Sequence, residues 1–299
     1  MAVTPVIVRA LPGALESGGR KRTYVQVGAD RRDRSGDPAR PLVVVFHGTG
    51  QTGRSVRRFS GRSFDTFAAG TDAVVVYPDG YRRDWNGARD IDTPARRRGI
   101  DDVGFFTDLV EAMATAHGTA RERVYVIGFS LGGQMVMRLL REVPRRLAGA
   151  AIIGSTLPDT CWTRTPPPAD MAVPVLLFHG TADPLAPYGG GVVGVRGLFP
   201  RGSHRSAEET AAYYAARNGI TGPPVTGPLR RADGSAVTTV TTTTYGGDSP
   251  APVTLFTVHG GGHQIPNPTH TPMPWFWGRS CPDLICADLI GRRLPPATR

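Results

Sequence analysis

Val124-Tyr125-Val126-Ile127-Gly128-Phe129-Ser130-Leu131-Gly132-Gly133-Gln134-Met135 decides how this chain folds. Its first half is apolar and rich in β-branched residues, as in a strand covered on both faces. Its second half opens the segment Leu131 to Glu142, where Met135, Leu139 and then Val143 recur at helical spacing. Between them, Gly128-Phe129-Ser130-Leu131-Gly132-Gly133 fits the pattern G-x-S-x-G at a sharp strand-to-helix turn. Such a turn strains the serine backbone and crowds its neighbours, so glycines must flank it. The hydroxyl then stands above the sheet at a helix N-terminus, where free amides and the helix dipole favour developing negative charge. Ser130 is therefore the expected nucleophile.

Outward from this stretch the pattern repeats. Leu42 to Phe46, Ala73 to Tyr77, Ala150 to Ile153 and Val175 to Phe178 are further apolar runs ended by Gly, Pro or His. Ser63 to Ala69, Phe105 to His117 and Ala207 to Arg217 read as the intervening helices, with Phe105, Leu109, Met113 and Ala116 marking a core face. Val6 to Arg9 and Thr23 to Val27 predict an opening antiparallel hairpin, Val237 to Tyr245 and Val253 to Val258 two late strands, and Asp283 to Leu294 a terminal helix. The alternation predicts an α/β architecture with a mostly parallel central sheet and helices on both faces. No repeat or long linker divides the chain, so one catalytic domain over residues 1–299 is expected.

A serine needs a base, and where it follows a strand in this way the chain order is serine, acid, histidine. Asp183, in Phe178-His179-Gly180-Thr181-Ala182-Asp183-Pro184, follows a strand at its C-terminal end, where open α/β sheets place their sites. Asp159, Asp170 and Asp248 lack that position. His259 and His263 both follow the last strand, and the three glycines between them let the chain curl back, which favours His263. His204 and His270 read as surface residues. His47 precedes the serine and reads as structural. Leu131 and Thr49, the latter in Phe46-His47-Gly48-Thr49-Gly50-Gln51, are the expected backbone donors of an oxyanion hole. Asp101-Asp102 reads as a helix cap and dipole partner.

The formal net charge is +10 over 299 residues, with a single lysine, Lys21. Arginine is spread rather than clustered beside base-reading groups, so a nucleic-acid partner is not expected. The runs Arg31-Arg32-Asp33-Arg34 and Arg96-Arg97-Arg98 read as solvated loops that could steer anionic esters. No apolar stretch is long enough to span a membrane, and residues 1–13 lack the pattern of a signal peptide. A soluble protein is expected, secreted if a leader was removed and otherwise cytoplasmic. Nothing in the sequence sets its oligomeric state. The three cysteines, Cys161, Cys281 and Cys286, leave an odd thiol whichever pair forms. No metal or cofactor is expected.

Taken together, Val43-Val44-Val45-Phe46-His47-Gly48, Tyr77-Pro78-Asp79-Gly80, Asp101-Asp102-Val103-Gly104-Phe105, the Ser130 motif, His179-Gly180-Thr181-Ala182-Asp183 and Gly260-Gly261-Gly262-His263 resemble the α/β-hydrolase esterase family that contains polyhydroxybutyrate depolymerases and feruloyl or acetyl xylan esterases. The resemblance runs from about residue 40 to 265. It implies the α/β-hydrolase fold, a Ser130–Asp183–His263 triad, and hydrolysis of small or oligomeric carboxylic esters through an acyl-enzyme. An acyltransferase on the same fold and a non-catalytic binding protein are the rival readings. Trp85, Trp162, Trp275 and Trp277 lie in loop segments and are candidates to line the substrate pocket, the alternative being that they cover the core from above, with Tyr188 as a weaker candidate.

Overall fold

Strands that are apolar on both faces need a helical layer on each side, and the chain supplies both. The computed structural model describes residues 8–28, 40–159, 171–194, 200–230, 234–267 and 269–294. Strands β1 (Ala10–Ser17) and β2 (Arg20–Val27) pair antiparallel across a Gly18-Gly19 turn. Then come β3 (Arg40–Phe46), α1 (Gly53–Phe59), α2 (Thr66–Gly70), β4 (Val74–Pro78), α3 (Pro94–Arg97), α4 (Asp102–His117), β5 (Thr119–Phe129), α5 (Leu131–Glu142), β6 (Gly149–Ile153) and β7 (Val175–Gly180). A two-stranded ribbon, β8 (Gly191–Val192) and β9 (Ser203–His204), precedes α6 (Ala207–Arg217). The chain continues with β10 (Val225–Arg230), β11 (Ala236–Tyr245), β12 (Val253–Val258), α7 (Pro274–Trp277) and α8 (Cys286–Arg293).

Ten strands form one sheet in the order β1-β2-β4-β3-β5-β6-β7-β12-β11-β10. From β4 to β12 all neighbours are parallel, and both edges are antiparallel. Alternate residues of the central strands feed two cores. Leu42, Val44 and Val126 meet Phe105, Leu109, Met135 and Tyr214 of α4, α5 and α6. Val43, Val45 and Ile127 face Val56, Phe67 and Ile290 of α1, α2 and α8. The hairpin is tied to α4 by a buried ion pair, Arg22 Nη2 to Asp102 Oδ1 at 2.7 Å. Burial pushes the Asp102 carboxyl up despite the Arg22 charge. Asp101 caps α4 by accepting from the Gly104 amide at 2.7 Å. No described helix is long and apolar enough to cross a membrane.

Several boundaries differ from the sequence expectation. The first strand of the hairpin is described as Ala10–Ser17, past the expected Val6 to Arg9, because Gly13 and Pro12 are tolerated on an edge strand; Val6 and Ile7 lie outside the described residues. Strand β10 is likewise an edge strand, with a register shift at Pro228/Leu229 that hides its Gly227-Pro228 pair as a turn. Helix α1 has a capping box at Thr52 and Ser55. Ser63 to Ala69 divides into a 3₁₀ turn, Ser63–Asp65, followed by α2. The last helix starts at Cys286 rather than Asp283. Cys281 and Cys286 are both buried free thiols. Cys161, Trp162 and the run Arg31-Arg32-Asp33-Arg34 lie outside the described residues.

Candidate active site

Ser130 sits between β5 and α5 with φ 54° and ψ −116°, a region L-residues seldom occupy. Its amide donates to Ile153 O at 2.9 Å, so the strained residue is pinned to β6. A side chain at Gly132 would collide with the carbonyl of Phe46, which is why α5 can start so close to β3. These sterics were legible in the motif.

Asp183 follows β7 and His263 follows β12, parallel neighbours whose C-terminal ends lie side by side. His263 Nδ1 donates to Asp183 Oδ2 at 2.6 Å, across 80 residues of sequence. The other carboxylate oxygen accepts from the amides of Leu185 and Ala186, both at 2.8 Å. Burial alone would push the Asp183 carboxyl up, but the His263 charge and hydrogen bond, His179 and the Ala186 amide together hold it below its ordinary value. The acid is an ionised, fully engaged acceptor. His263 itself is held by its amide, which donates to Trp277 O at 2.6 Å, and its ring lies flat against Trp277 at 5.8 Å and 17°. Gly262 packs against Trp277 and Gly278 so closely that a side chain there would clash. His263 Nε2 is buried with no hydrogen-bond partner. His259 stands apart, bonded to Thr241 Oγ1 at 3.1 Å.

A cavity of about 200 Å³ joins Ser130 and His263 to Thr49, Leu131, Phe276 and Trp277. At its rim, the Gly48 amide donates to Gln51 Oε1 at 2.9 Å. His47 is buried behind the loop: its Nδ1 donates to Gly48 O at 2.8 Å and its Nε2 accepts from the Gly80 amide at 2.9 Å. Burial lowers its pKa to about 4, so the ring is neutral and structural.

The tryptophans divide. Trp277 lines the cavity, whereas Trp85, expected to do so, is only 1% exposed and belongs to the core. Its indole donates to His47 O at 3.1 Å from behind the Gly48 loop. Trp275 is an exposed residue of α7 and does not line the cavity. Tyr188 also stands outside it, its hydroxyl 2.8 Å from Thr257 Oγ1 and its ring edge-on to His179. Contrary to the surface reading, His204 is buried in the cavity wall. Arg89, Gln134, Ser155 and Arg201 also line it, and sequence reasoning missed all four. Gln134 alone carried a signal, one helical turn after the serine on α5.

Known proteins agree with this architecture. Residues 33–195 match the phospholipase/carboxylesterase family. The chain is 31% identical over 264 residues to NocK of Nocardia uniformis subsp. tsuyamanensis, an esterase by designation, covering 83% of this chain and 72% of that one. It is 26% identical over 190 residues to feruloyl esterase B of Piromyces equi, covering 64% of this chain but 34% of the other. Among solved structures, the acetyl xylan esterase from Aspergillus awamori superposes with a TM-score of 0.58 at 15% identity, over 89% of this chain and 98% of that chain. The fold is that of the α/β-hydrolases, and the chain belongs to the phospholipase/carboxylesterase family.

Proposed function

We propose that this chain is a serine carboxylic ester hydrolase working through an acyl-enzyme, with Ser130 as nucleophile, His263 as base and Asp183 as its orienting acid. The observation that carries this reading is the buried Asp183–His263 bond of 2.6 Å, which leaves Nε2 unpartnered in the cavity that Ser130 also lines. Because Nδ1 must carry the proton it gives to Asp183, Nε2 holds the lone pair. It takes the Ser130 proton as Oγ attacks the ester carbonyl. The tetrahedral oxyanion is held by the amides of Leu131, at the start of α5, and Thr49, since the Gly48 amide is already given to Gln51. Each such donor is worth about 3 kcal/mol of barrier. His263 returns the proton to the leaving alcohol, and water repeats the sequence on the acyl-enzyme.

Relatives whose names specify feruloyl and acetyl xylan ester cleavage favour short acyl or single aromatic groups, and a cavity of about 200 Å³ suits that size. Incubation with a fluorophosphonate should label Ser130, located by peptide mass spectrometry, and 4-nitrophenyl acetate should be hydrolysed. An unlabelled Ser130 in folded protein that leaves the acetate intact would overturn the reading.

A further inference from the structure

The cavity that His263 lines also contains an arginine with unsatisfied nitrogens. Arg89 is 7% exposed, yet its Nε and Nη2 are buried and have no hydrogen-bond partner. A buried guanidinium without a counter-charge is costly, and native chains pair or hydrogen-bond almost all such groups. Its placement is nonetheless fixed. The neighbouring Ala88 amide donates to Gln134 O at 3.0 Å, which ties this loop to the first turn of α5, and the Arg89 carbonyl accepts from Arg96.

The surroundings sharpen the oddity. Arg201 lines the same cavity, and Arg89 and Arg201 also border the adjoining hollow with Asp159. Among the described residues, neither arginine has a carboxylate within ion-pair distance. Asp84, the acid whose charge reaches Arg89, spends Oδ2 on the Ala95 amide. Burial first, and the like charge of Arg201 second, lower the Arg89 pKa to about 10. Next to them His204 donates through Nδ1 to Thr156 O at 3.0 Å, so its buried, unpartnered Nε2 is an acceptor. Gln134 Oε1 is a second buried acceptor without a donor.

Two facing cations beside two unfilled acceptors, all in the cavity of Ser130, describe the negative imprint of a ligand. We infer that Arg89, assisted by Arg201, is an anion subsite of this cavity, and that the preferred substrate is a small ester bearing a carboxylate. The guanidinium fork matches a carboxylate in two parallel hydrogen bonds, and the pair is strengthened where water is excluded. His204 Nε2 and Gln134 Oε1 take hydroxyl or amide protons from the same molecule. The inference deepens the esterase reading and rests on it.

The test compares matched esters: mono-4-nitrophenyl adipate against 4-nitrophenyl hexanoate for a carboxylate on the acyl side, and 4-acetoxybenzoate against its methyl ester for one on the alcohol side. In at least one pair the anionic ester should exceed its neutral partner in kcat/KM by tenfold or more. That ratio should fall by roughly 10- to 100-fold in Arg89→Gln and be partly restored in Arg89→Lys. Should either variant fold poorly, inhibition of the wild-type protein decides: adipate should compete with 4-nitrophenyl hexanoate, and 1,6-hexanediol should not. Neutral esters turned over with no anionic preference in either pair, or adipate inhibiting no better than the diol, would overturn the subsite and leave the esterase reading standing. No hydrolysis of any ester together with an unlabelled Ser130 would overturn both.

Discussion

The two walls of the cleft are built to opposite rules. On the side of β7 and β12, Asp183 accepts three hydrogen bonds and His263 is fixed by its amide and by the Trp277 ring. On the other side, Arg89, Gln134 and His204 keep buried polar atoms with nothing to bind. A reaction that moves a proton needs its groups held in one geometry before substrate arrives, so Asp183 and the Nδ1 of His263 are satisfied from within, and on that side only His263 Nε2 and the Trp277 indole stay open among the described residues. A wall that recognises a guest must leave capacity for it, and the chain tolerates unpaired groups there because the surrounding fold holds them.

If the first wall is the chemical one, Ser130→Ala should lower kcat/KM on a short-chain chromogenic ester by about 10⁴- to 10⁶-fold with the thermal midpoint little changed. A rate near that of the parent breaks the comparison outright. Asp183→Asn keeps the shape but cannot hold His263 in the required tautomer, so kcat should fall by roughly 10⁴-fold while KM moves little. A change confined to KM would transfer Asp183 to the recognition wall.

Acid adds a further probe by acting on two buried histidines, His204 of the second wall and His47 behind the Gly48 loop. His47 and His204 ordinarily titrate at 6.5, and burial lowers each to about 4 in the fold. Between those values the unfolded chain binds protons that the folded chain refuses, so stability rises with pH there and is lost as pH falls from about 6.5 to 4. Each histidine contributes on the order of 3 kcal/mol across that window. Urea unfolding at pH 7 and pH 4.5 should show the loss, and a His204→Gln variant should show a smaller one. Equal pH dependence with and without His204 would argue that its ring is not held neutral.

The smallest effects separate the buried Trp85 from the half-buried Trp277. Trp85→Phe removes the donor to His47 O and should cost about 1–3 kcal/mol of stability by urea unfolding. Trp277→Phe keeps a ring beside His263 and should change KM for aromatic esters only a few-fold. An exchange of those two outcomes would return Trp85 to the cavity.

Much of this was readable along the chain. The central strands, α5, α6 and β12 follow from apolar runs and helical spacing, because a sheet covered on both faces imposes that pattern locally. The elbow was readable because glycines beside Ser130 answer a steric demand of the turn itself. The opening hairpin was readable but not the bounds of its edge strand β1, and β10 was missed, since half-exposed strands tolerate Gly and Pro and lose the apolar signature. Nor could loop tryptophans be sorted, because a pocket wall and a core plug use the same residue type; only packing places Trp277 against His263 and Trp85 behind His47.

By itself the sequence determined the central strands of the sheet, the sharp turn at Ser130, and the strand ends on which Asp183 and His263 sit, all of which depend on neighbours a few residues away. Only the tertiary structure decided that His263 reaches Asp183 across 80 residues, that His204 is buried, and that Arg89 keeps unpartnered nitrogens in the cavity that Ser130 lines. Burial and pairing are sums over segments remote in the chain, so no local pattern encodes them.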